Sequence, residues 1–416
     1  MQYGLIGERL GHSYSQRIHE QLAGYGYELR AVAREEIDAF LAARDFQGLN
    51  VTIPYKRTVI PYCDELSPAA RKIGSVNTLV LRDGRLFGDN TDYAGFLCLA
   101  RRTGIAFAGK KVLVCGSGGT SLTVRTAARD SGAREVVVLS RSGEENYQNA
   151  PLRHADAEIL VNTTPLGMFP NLGGKAVRLS DFPRLEGVLD VVYNPLRTAL
   201  ILEARERGIR CAGGLAMLVA QAKYSAEQFA GHPIPDGRID EIEHSLRREL
   251  SNLVLIGMPG SGKTTLGRAC AGALGREFVD ADELIVQRVG RPIPEIFAQQ
   301  GEKGFRQLES ECLASLALRT GLVIATGGGA VLRRENVAAL RANGTLIRLL
   351  RPLGELPVEG RPLSQGSPLE KLAEEREPFY AAACDCAVEN QGSIETVRDR
   401  ILEAWNEILS HERSEH

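Results

Sequence analysis

The sequence predicts an α/β protein with more than one domain. Apolar runs rich in β-formers and punctuated by glycine recur along all 416 residues, and amphipathic stretches separate most of them, which is the alternation typical of α/β folds. The length exceeds the size at which one hydrophobic core stops growing. Two apolar runs lead directly into glycine-rich turns, so nucleotide sites are expected at two places. The predicted strands cover residues 3–6, 49–53, 76–81, 112–115, 135–139, 159–162, 188–193, 253–256, 322–325 and 345–350.

The composition excludes several classes of function. Fifty Lys and Arg face fifty-two Asp and Glu, a net charge of −2, which argues against a nucleic-acid or anionic-membrane surface built from bulk positive charge. No basic segment precedes an apolar core at Met1, and no eighteen consecutive residues are apolar, so we expect a soluble cytoplasmic protein. Of its eight cysteines, only Cys384 and Cys386 lie close together in the sequence. This spacing predicts reduced thiols without a disulfide framework or metal site.

The second half contains a phosphate-binding loop. Gly257, Gly262, Lys263 and Thr264 fit G-x-x-x-x-G-K-[ST] after the apolar run 253–256, and helical spacing follows. Backbone N–H groups and a helix N-terminus can then face phosphate, with Lys263 at the β/γ-phosphates and Thr264 on Mg²⁺. The predicted ATP-binding residues are Gly257, Gly260, Ser261, Gly262, Lys263, Thr264 and Thr265.

The first half carries a dinucleotide signature. The strand at 111–115 runs into Gly116-Ser117-Gly118-Gly119-Thr120-Ser121, and an amphipathic stretch follows, the arrangement of a dinucleotide-binding turn. Ser121 replaces the third glycine but is small enough for close packing of helix on strand. The next strand ends at Ser140-Arg141, where an NAD-specific protein has an acidic residue, so Arg141 favours the 2′-phosphate of NADP.

Polar clusters in the first half resemble the shikimate dehydrogenase family in order and spacing over residues 1 to about 250. The matching segments are 12–15, 50–56, 76–78, 88–92, 116–121, 162–168 and 213–222, and a predicted helix at 236–250 corresponds to that family's C-terminal helix. The segment 142–158 is shorter than in the family.

The resemblance implies reversible hydride transfer between NADPH and the C3 carbonyl of 3-dehydroshikimate. Lys56 and Asp92 match the catalytic pair, in which a carboxylate-held ammonium donates to the developing alkoxide. Taken alone they would favour a surface lysine and a helix N-cap, and their place inside two matched segments reverses that order. Ser13 and Ser15 match residues that bind the substrate carboxylate. Residues matched to the remainder of the substrate are Thr52, Asn77, Gln221 and Tyr193. Residues matched to NADP are Gly116, Ser117, Gly118, Gly119, Thr120, Ser140, Arg141, Thr163 and Gly214.

The phosphate loop alone would suit a switch GTPase, a motor ATPase or a small-molecule kinase. The segments that follow it, 280–283, 301–306, 325–329, 359–363 and 375–380, resemble shikimate kinase across residues 251 to about 411. The acceptor implied by the resemblance is therefore shikimate.

The kinase resemblance assigns roles to individual residues. Asp280 would position Mg²⁺ through water, and Asp282 would bind the substrate hydroxyls and assist deprotonation; Arg306 and Arg376 would grip the carboxylate through paired hydrogen bonds. Taken singly, Asp282 would also suit a helix N-cap and Arg306 a surface ion pair. By the same resemblance, Gly327, Gly328 and Gly329 would let the backbone come close to the substrate. Arg361, which follows a short segment at 351–359, would belong to a lid over the phosphates.

The sequence thus predicts two enzymes in one chain, acting on 3-dehydroshikimate and then shikimate, with no nucleic-acid or membrane partner. Residues 1–250 would form a dehydrogenase, with a substrate domain at 1–97 and 213–250 around a Rossmann-like NADP domain at 98–212. Residues 251–416 would form a P-loop domain like the nucleoside monophosphate kinases, with a parallel sheet. Two alternatives remain: one half senses NADP or shikimate without turnover, or the dehydrogenase prefers quinate or NAD.

Overall fold

The strands build three sheets, and every predicted strand is present among them. The computed structural model describes residues 2–10, 13–355 and 369–411. The first sheet is mixed, with six strands in the order β2-β1-β3-β5-β6-β4, and the other two are parallel with five strands each. The α/β class is therefore confirmed.

The first sheet uses residues near the N-terminus and is covered by helices from two separated parts of the chain. Its strands are β1 Tyr3–Gly7, β2 Glu28–Ala31, β3 Gly48–Val51, β4 Glu65–Leu66, β5 Thr78–Arg82 and β6 Arg85–Asp89. The helices around it are α1 Ser15–Ala23, α2 Ile37–Ala43, α3 Pro68–Ile73, α8 Leu215–Ala230 and α9 Gly237–Leu250. Helix α8 packs on α1 and α9, and this brings the segment after residue 214 back to the N-terminal sheet.

The second sheet has the order β11-β10-β9-β7-β8. Its strands are β7 Lys111–Cys115, β8 Glu135–Leu139, β9 Ile159–Asn162, β10 Gly187–Asp190 and β11 Arg210–Ala212, and its helices are α4 Thr91–Arg102, α5 Gly119–Asp130, α6 Ala150–Arg153 and α7 Ala199–Glu206. Separate apolar cores cover its two faces, which explains the continuous apolar runs in its strands. The short segment 142–158 supplies only α6, a single helical turn.

The third sheet has the order β13-β14-β12-β15-β16, so its first strand lies at the centre. Its strands are β12 Asn252–Ile256, β13 Phe278–Asp280, β14 Val323–Ala325, β15 Gly344–Leu350 and β16 Cys386–Glu389. Its helices are α10 Lys263–Leu274, α11 Ala281–Val289, α12 Ile293–Ala317, α13 Arg334–Asn343, α14 Leu369–Ala383 and α15 Ile394–His411. Because β12 is central, the loop that follows it opens at the middle of the sheet's carboxyl edge.

The two halves of the chain follow each other directly. Helix α9 ends at Leu250, β12 begins at Asn252, and only Ser251 lies between them. Helix α9 also packs against α15, and α7 packs against α13. Among the helices of the described ranges, none is long and apolar enough to cross a membrane.

The close contact between β3 and α8 depends on a glycine. A Cβ at Gly48 would lie 2.4 Å from the Phe229 ring, whereas a Cβ at Gly26 would meet nothing within 4 Å. We expect Gly48→Ala to destabilise the fold by about 1–3 kcal/mol through overpacking. Gly26→Ala should be neutral or stabilise by about 0.4–1 kcal/mol through the unfolded chain. Urea unfolding followed by circular dichroism measures both, and equal midpoints for the two variants would contradict this account.

Candidate active sites

Lys56 and Asp92 form an ion pair in a cleft between the first two sheets. Lys56 follows β3, Asp92 lies in the first turn of α4, and Lys56 Nζ is 2.6 Å from Asp92 Oδ2. The N-cap of α4 is Asn90, whose side chain accepts a hydrogen bond from the Tyr93 N–H. Asp92 is therefore not needed as a cap, and its carboxylate instead holds the ammonium in place.

Asn77 orients the free side of this carboxylate. Its Nδ2 donates to Asp92 Oδ1 at 3.0 Å and contacts Gln221 Oε1 at 3.5 Å. Its own Oδ1 accepts from the Thr91 N–H at 2.7 Å. Since Asn77 is 3 % exposed, these bonds leave its amide few other orientations.

A buried polar network lies beneath Asn77, and the sequence prediction missed it. The Asn50 amide donates to Ser225 Oγ at 2.8 Å, and the Ser225 hydroxyl contacts those of Thr78 and Thr91, each at 3.0 Å. Ser225 lies four residues after Gln221 on α8, a spacing that places both side chains on the same helix face. That spacing is the signal that could have revealed it.

The cleft has a volume of about 220 Å³. Of the residues predicted for the dehydrogenase, those lining it are Ser13, Ser15, Thr52, Lys56, Asn77, Asp92, Thr120, Tyr193, Gly214 and Gln221. The structure adds Asn50, Met217 and Leu218, which lay inside matched segments but were given no role. Thr120 belongs to the glycine turn, so the cleft extends from the Lys56–Asp92 ion pair to the start of α5.

The glycine turn after β7 suits a dinucleotide. Gly116 has φ 105°, and a Cβ there would lie 2.9 Å from Thr163 Oγ1, so the turn needs a glycine at this position. A Cβ at Gly118 or Gly119 would meet nothing within 4 Å. The backbone is thus open to a pyrophosphate at the N-terminus of α5. Thr163 is held by its hydroxyl and its N–H, both donating to the Cys115 carbonyl.

Arg141 lies at the edge of the second sheet from which the glycine turn also extends. The register places Leu139 beside Cys115, so Ser140 and Arg141 extend past the same edge as the glycine turn. Arg141 is exposed, and within the described part of the chain no carboxylate pairs with it. Its guanidinium is therefore available to an anionic ligand, and the residues of this site fit the 2′-phosphate of NADP.

The phosphate loop after β12 has the backbone that its glycines allow. Gly257, Gly260 and Gly262 have φ values of 143°, 85° and 94°, a region that other residues rarely adopt. Lys263 begins α10, and its Nζ donates to the carbonyls of Gly257 and Met258, each at 2.9 Å. The ammonium thus lies folded over the loop, at the N-terminus of a helix.

Asp280 and Asp282 have different roles. Asp280 is the N-cap of α11, accepting from the Asp282 N–H at 3.0 Å, and its other oxygen accepts from Thr264 Oγ1 at 2.7 Å. Asp282 is therefore not the cap. Burial, followed by the negative charges of Asp280 and Glu309, raises the pKa of Asp282 to about 6, while Lys263 and Arg306 act to lower it.

Arg306 is buried beside a carboxylate that the sequence analysis did not identify. It is 7 % exposed, and its Nη1 is 2.8 Å from Glu309 Oε2, one helical turn further along α12. The other oxygen of Glu309, Oε1, has no hydrogen-bond partner among residues 2–10, 13–355 and 369–411. Arg306 is therefore not a surface ion pair. The i, i+3 spacing on one helix could have indicated this partner.

The three consecutive glycines are required by the residues around them. A Cβ at Gly327 would lie 2.8 Å from Asp282 Oδ1 and Glu309 Oε1, and one at Gly329 would lie 2.2 Å from Arg306 Nη1. At Gly328 it would meet the Pro259 ring at 2.8 Å. The triple glycine therefore lets the phosphate loop, Asp282 and Arg306 converge on one cavity.

Helix α14 closes the opposite side of the cavity. The Arg376 guanidinium donates to the Gly328 carbonyl at 3.1 Å, and the Tyr380 hydroxyl donates to the same oxygen at 2.5 Å. Burial raises the pKa of Tyr380 to about 12, so this hydroxyl keeps its proton. Arg376 is 5 % exposed and faces Arg306 across the glycines, an arrangement that can bind a carboxylate.

The cavity has a volume of about 580 Å³. The predicted residues that line it are Gly260, Gly262, Lys263, Thr264, Thr265, Asp280, Asp282, Arg306, Gly327, Gly328, Gly329 and Arg376. Gly257 and Ser261 do not line the cavity, and Arg351 is an additional lining residue. The predicted lid residue Arg361 lies outside the described residues.

The Thr264 hydroxyl and the Asp280 carboxylate are adjacent oxygen donors at the phosphate loop, 2.7 Å apart. In the ranges that the structure describes, no group of three or more His, Cys, Asp or Glu could hold a metal ion. Mg²⁺ in phosphoryl-transfer sites takes few protein ligands and keeps waters and phosphate oxygens. The donor set therefore fits magnesium brought with a nucleotide.

Fold and sites together define a nucleotide-dependent oxidoreductase joined to a P-loop phosphotransferase. Residues 5–79 match the family model described as "Shikimate dehydrogenase substrate binding domain", and residues 259–406 match the one described as "Shikimate kinase". The chain belongs to the shikimate dehydrogenase family, and a shikimate kinase domain is fused behind that part.

Relatives of the first part are known as sequences and as structures. The shikimate dehydrogenase (NADP(+)) of Clostridium perfringens is 33 % identical over 265 residues, 59 % of this chain and 98 % of that protein. A chorismate mutase/shikimate 5-dehydrogenase fusion protein from Clostridium acetobutylicum has a TM-score of 0.56 at 34 % identity, covering 59 % of this chain and 96 % of the other. Quinate dehydrogenase from Corynebacterium glutamicum, solved with NAD, has a TM-score of 0.54 at 28 % identity, covering 59 % and 99 %.

Two glycines of the dinucleotide turn should respond differently to substitution. Gly116→Ala forces alanine to φ 105° against Thr163 and should cost roughly 1–3 kcal/mol of stability. Gly118→Ala meets open space, so the fold should be unchanged while NADPH binds about tenfold more weakly or worse, a loss of about 1.4 kcal/mol. Thermal unfolding without ligand and NADPH fluorescence titration separate the two effects. Wild-type NADPH affinity in Gly118→Ala would contradict a pyrophosphate site at this turn.

Proposed function

We propose that this chain is a bifunctional enzyme of aromatic amino-acid biosynthesis. Its first activity reduces 3-dehydroshikimate to shikimate with NADPH, and its second transfers a phosphoryl group from ATP to the 3-hydroxyl of shikimate. The observation that carries the first activity is the Lys56–Asp92 pair at 2.6 Å in a cleft reached by the glycine turn. The second rests on Asp282, Arg306 and Arg376 converging beside the phosphate loop.

We infer domain boundaries at the positions that the sequence indicates. Residues 1–97 and 213–250 would form the substrate domain, 98–212 the NADP domain and 251–416 the kinase domain. Supporting this division, the strands of each sheet all belong to one of these three units. The cysteines are all free thiols, which suits a cytoplasmic location.

In the dehydrogenase, Lys56 acts as the proton donor. When bound, NADPH supplies the hydride to C3. As negative charge develops on the carbonyl oxygen, the Lys56 ammonium donates its proton and the product carries a hydroxyl. Asp92 fixes the ammonium in reach of that oxygen, and Asn77 keeps the carboxylate oriented.

The remaining residues of the cleft place the substrate. Ser13 and Ser15 offer hydroxyls for the substrate carboxylate, while Thr52 and Gln221 are available to the ring hydroxyls. Tyr193 covers one side of the cleft with its ring, and its hydroxyl keeps its proton because burial raises its pKa. The site therefore binds the ring through neutral hydrogen bonds and reserves its charges for the reacting oxygen.

In the kinase, Asp282 accepts the proton of the attacking hydroxyl. When bound, ATP supplies the phosphoryl group. Arg306, held by Glu309, and Arg376, held over Gly328, clamp the shikimate carboxylate and so orient the ring. Lys263 leaves its loop carbonyls for the nucleotide phosphates, where its charge is complementary.

We propose Mg²⁺ as the metal of this reaction. Thr264 would ligate it, and Asp280, 2.7 Å from the Thr264 hydroxyl, would act through water. Magnesium neutralises charge on the phosphates when bound. We also place Arg361 on the phosphates as a lid residue, by resemblance to the family alone.

The two activities should be separable by single substitutions. We expect Lys56→Ala to abolish NADPH oxidation, since it removes the proton donor, while leaving phosphorylation of added shikimate intact. Lys263→Ala should do the reverse, because it removes the ammonium that meets the phosphates and leaves the dehydrogenase cleft unchanged. The assay supplies 3-dehydroshikimate, NADPH and Mg-ATP and follows NADP and shikimate 3-phosphate separately.

The same assay tests the alternatives. Wild-type protein that forms only one product would identify the other half as a sensing module. Faster turnover with quinate and NAD would assign the dehydrogenase to the alternative substrate and cofactor pair. Loss of both activities in either lysine variant would contradict independent sites.

The kinase rate should depend on pH through Asp282. Its pKa, raised from 3.8 to about 6 by burial and neighbouring carboxylates, means that the carboxylate becomes protonated, and unable to accept a proton, as pH falls through about 6. We therefore expect kcat/KM of the phosphoryl transfer to fall below that pH, and Asp282→Asn to abolish the rate at every pH.

The stability should change in the opposite sense. Because the folded pKa of Asp282 is above the unfolded value of 3.8, its contribution to the free energy of unfolding is full below pH 3.8 and is lost as pH rises through about 6. Urea unfolding of wild type and Asp282→Asn across this range provides the control. A kinase rate independent of pH around 6 would contradict the role of Asp282.

A further inference from the structure

The loop between β10 and α7, residues 191–198, is bound to the C-terminal half of the chain. The Leu196 N–H donates to Asn343 Oδ1 and the Arg197 N–H to the Ala342 carbonyl, both at 2.9 Å. Arg197 Nη1 donates to the carbonyls of Arg341 and Gly344, again at 2.9 Å each. Arg197 is 4 % exposed and Asn343 2 %, so these bonds lie inside the contact between the halves.

The chemistry of this contact is specific. Helix α13 ends at Asn343, so the carbonyls of residues 341 and 342 belong to its last turn, which has no intrahelical donors for them. The Arg197 guanidinium donates to the carbonyl of Arg341, and the Arg197 backbone N–H donates to that of Ala342. The guanidinium also places a positive charge at the negative end of the helix dipole. Arg197 therefore completes the end of a helix that belongs to the kinase part.

The same loop reaches the dehydrogenase cleft. Val191 and Tyr193 line that cleft, and the Tyr193 ring packs edge-on against the Tyr14 ring, with centroids 5.8 Å apart. Tyr14 lies between Ser13 and Ser15, the two serines assigned to the substrate carboxylate. Tyr193 is only four residues from Arg197, so the position of Arg197 limits the movement of Tyr193.

The loop is also tied to the sheet from which it starts. Asp190 accepts from the Val192 N–H at 3.0 Å and from the Thr198 hydroxyl at 2.7 Å. These bonds fix the two ends of the loop. Between them, Leu196 bonds to the Asn343 side chain and the Arg197 guanidinium bonds to two backbone carbonyls, all in the C-terminal half. The N-terminal half also holds the middle of the loop through the Phe169 N–H, which donates to the Asn194 carbonyl at 3.0 Å. Leu196 and Arg197 take their bonds from the C-terminal half.

We propose that the C-terminal half completes the dehydrogenase cleft: Arg197 and Asn343 are positioning residues that hold the 191–198 loop, and with it Tyr193, in the substrate-binding conformation. This inference rests on the proposed dehydrogenase activity. It assigns the α13–β15 junction a function in the other half's reaction, in addition to its place in the kinase fold. The kinase cavity is separate, because its lining residue Arg351 follows the far end of β15, roughly 20 Å from Gly344 along the extended strand.

The expected defect is in substrate binding. If the loop holds its binding conformation for a fraction of the time, the apparent dissociation constant rises by the inverse of that fraction. We expect Arg197→Ala and Asn343→Ala each to raise KM for 3-dehydroshikimate about tenfold, with a smaller change in kcat, since Lys56 and Asp92 are untouched. Arg197→Lys should recover part of the affinity, because an ammonium can donate to the same carbonyls. The KM for shikimate in the kinase reaction should be unchanged.

The matched control is Arg341→Ala. Its side chain donates to the carbonyls of Ala382 and Ala383 within the C-terminal half, while its backbone carbonyl, the acceptor for Arg197, survives the substitution. Wild-type dehydrogenase kinetics are expected for it. If the dehydrogenase KM rises as much in Arg341→Ala as in Arg197→Ala, the proposal is overturned, because a general disturbance of α13 would then explain both increases.

All measurements use the full chain, with steady-state kinetics of each reaction and thermal unfolding of each variant. An inactive wild-type dehydrogenase would refute the proposed function itself, whereas an active wild type with unchanged KM in Arg197→Ala and Asn343→Ala overturns this inference alone. Equal loss of both activities also overturns it. If Arg197→Ala does not fold, Arg197→Lys and Asn343→Ala decide by the same criteria.

Discussion

Both active sites depend on one constraint of parallel sheets. Parallel strands bring their carboxyl ends to a single edge, and a ligand can approach the backbone there only where no side chain blocks it. Gly116 after β7 and Gly257 after β12 both have φ beyond 100°, and each turns the chain so that a helix begins at the ligand. Substituting either glycine would strain its turn and disturb the helix N-terminus that faces the ligand site.

Buried charge is distributed differently in the two sites. In the dehydrogenase cleft one ammonium meets one carboxylate, and neutral amides and hydroxyls surround them. In the kinase cavity Asp280, Asp282 and Glu309 lie near Lys263 and Arg306, and this crowding with burial raises the pKa of Asp282. A raised pKa helps a carboxylate that accepts a proton, whereas a carboxylate that only holds an ammonium in place does not need one.

The direct junction of the halves has a structural consequence. With only Ser251 between α9 and β12, the C-terminal sheet cannot move far from the dehydrogenase, and α7 meets α13. The Arg197 contact forms inside that packing. With a long flexible linker, the four hydrogen bonds of this contact would have to offset the entropy of ordering the linker. The contact would then form less readily, and the last carbonyls of α13 would need other donors.

The sequence by itself determined the fold class and most of the chemistry. Strand periodicity, two glycine turns and ordered polar segments were enough, because local patterns encode strands, turns and helix starts. The family resemblances carried by the ordered polar segments also pointed to Lys56, Asp92, Asp282 and Arg376. The structure brings these residues to two cavities, while their catalytic roles stay a proposal.

Only the tertiary structure decided which partners these residues have. Asn90 and not Asp92 caps α4, Asp280 and not Asp282 caps α11, and Glu309 holds Arg306. Arg197 carries no motif, and its acceptors are backbone carbonyls 144 and 147 positions away along the chain. A carbonyl has the same chemistry at every residue, so no pattern in the sequence marks the ones that a distant guanidinium will reach; folding alone selects them.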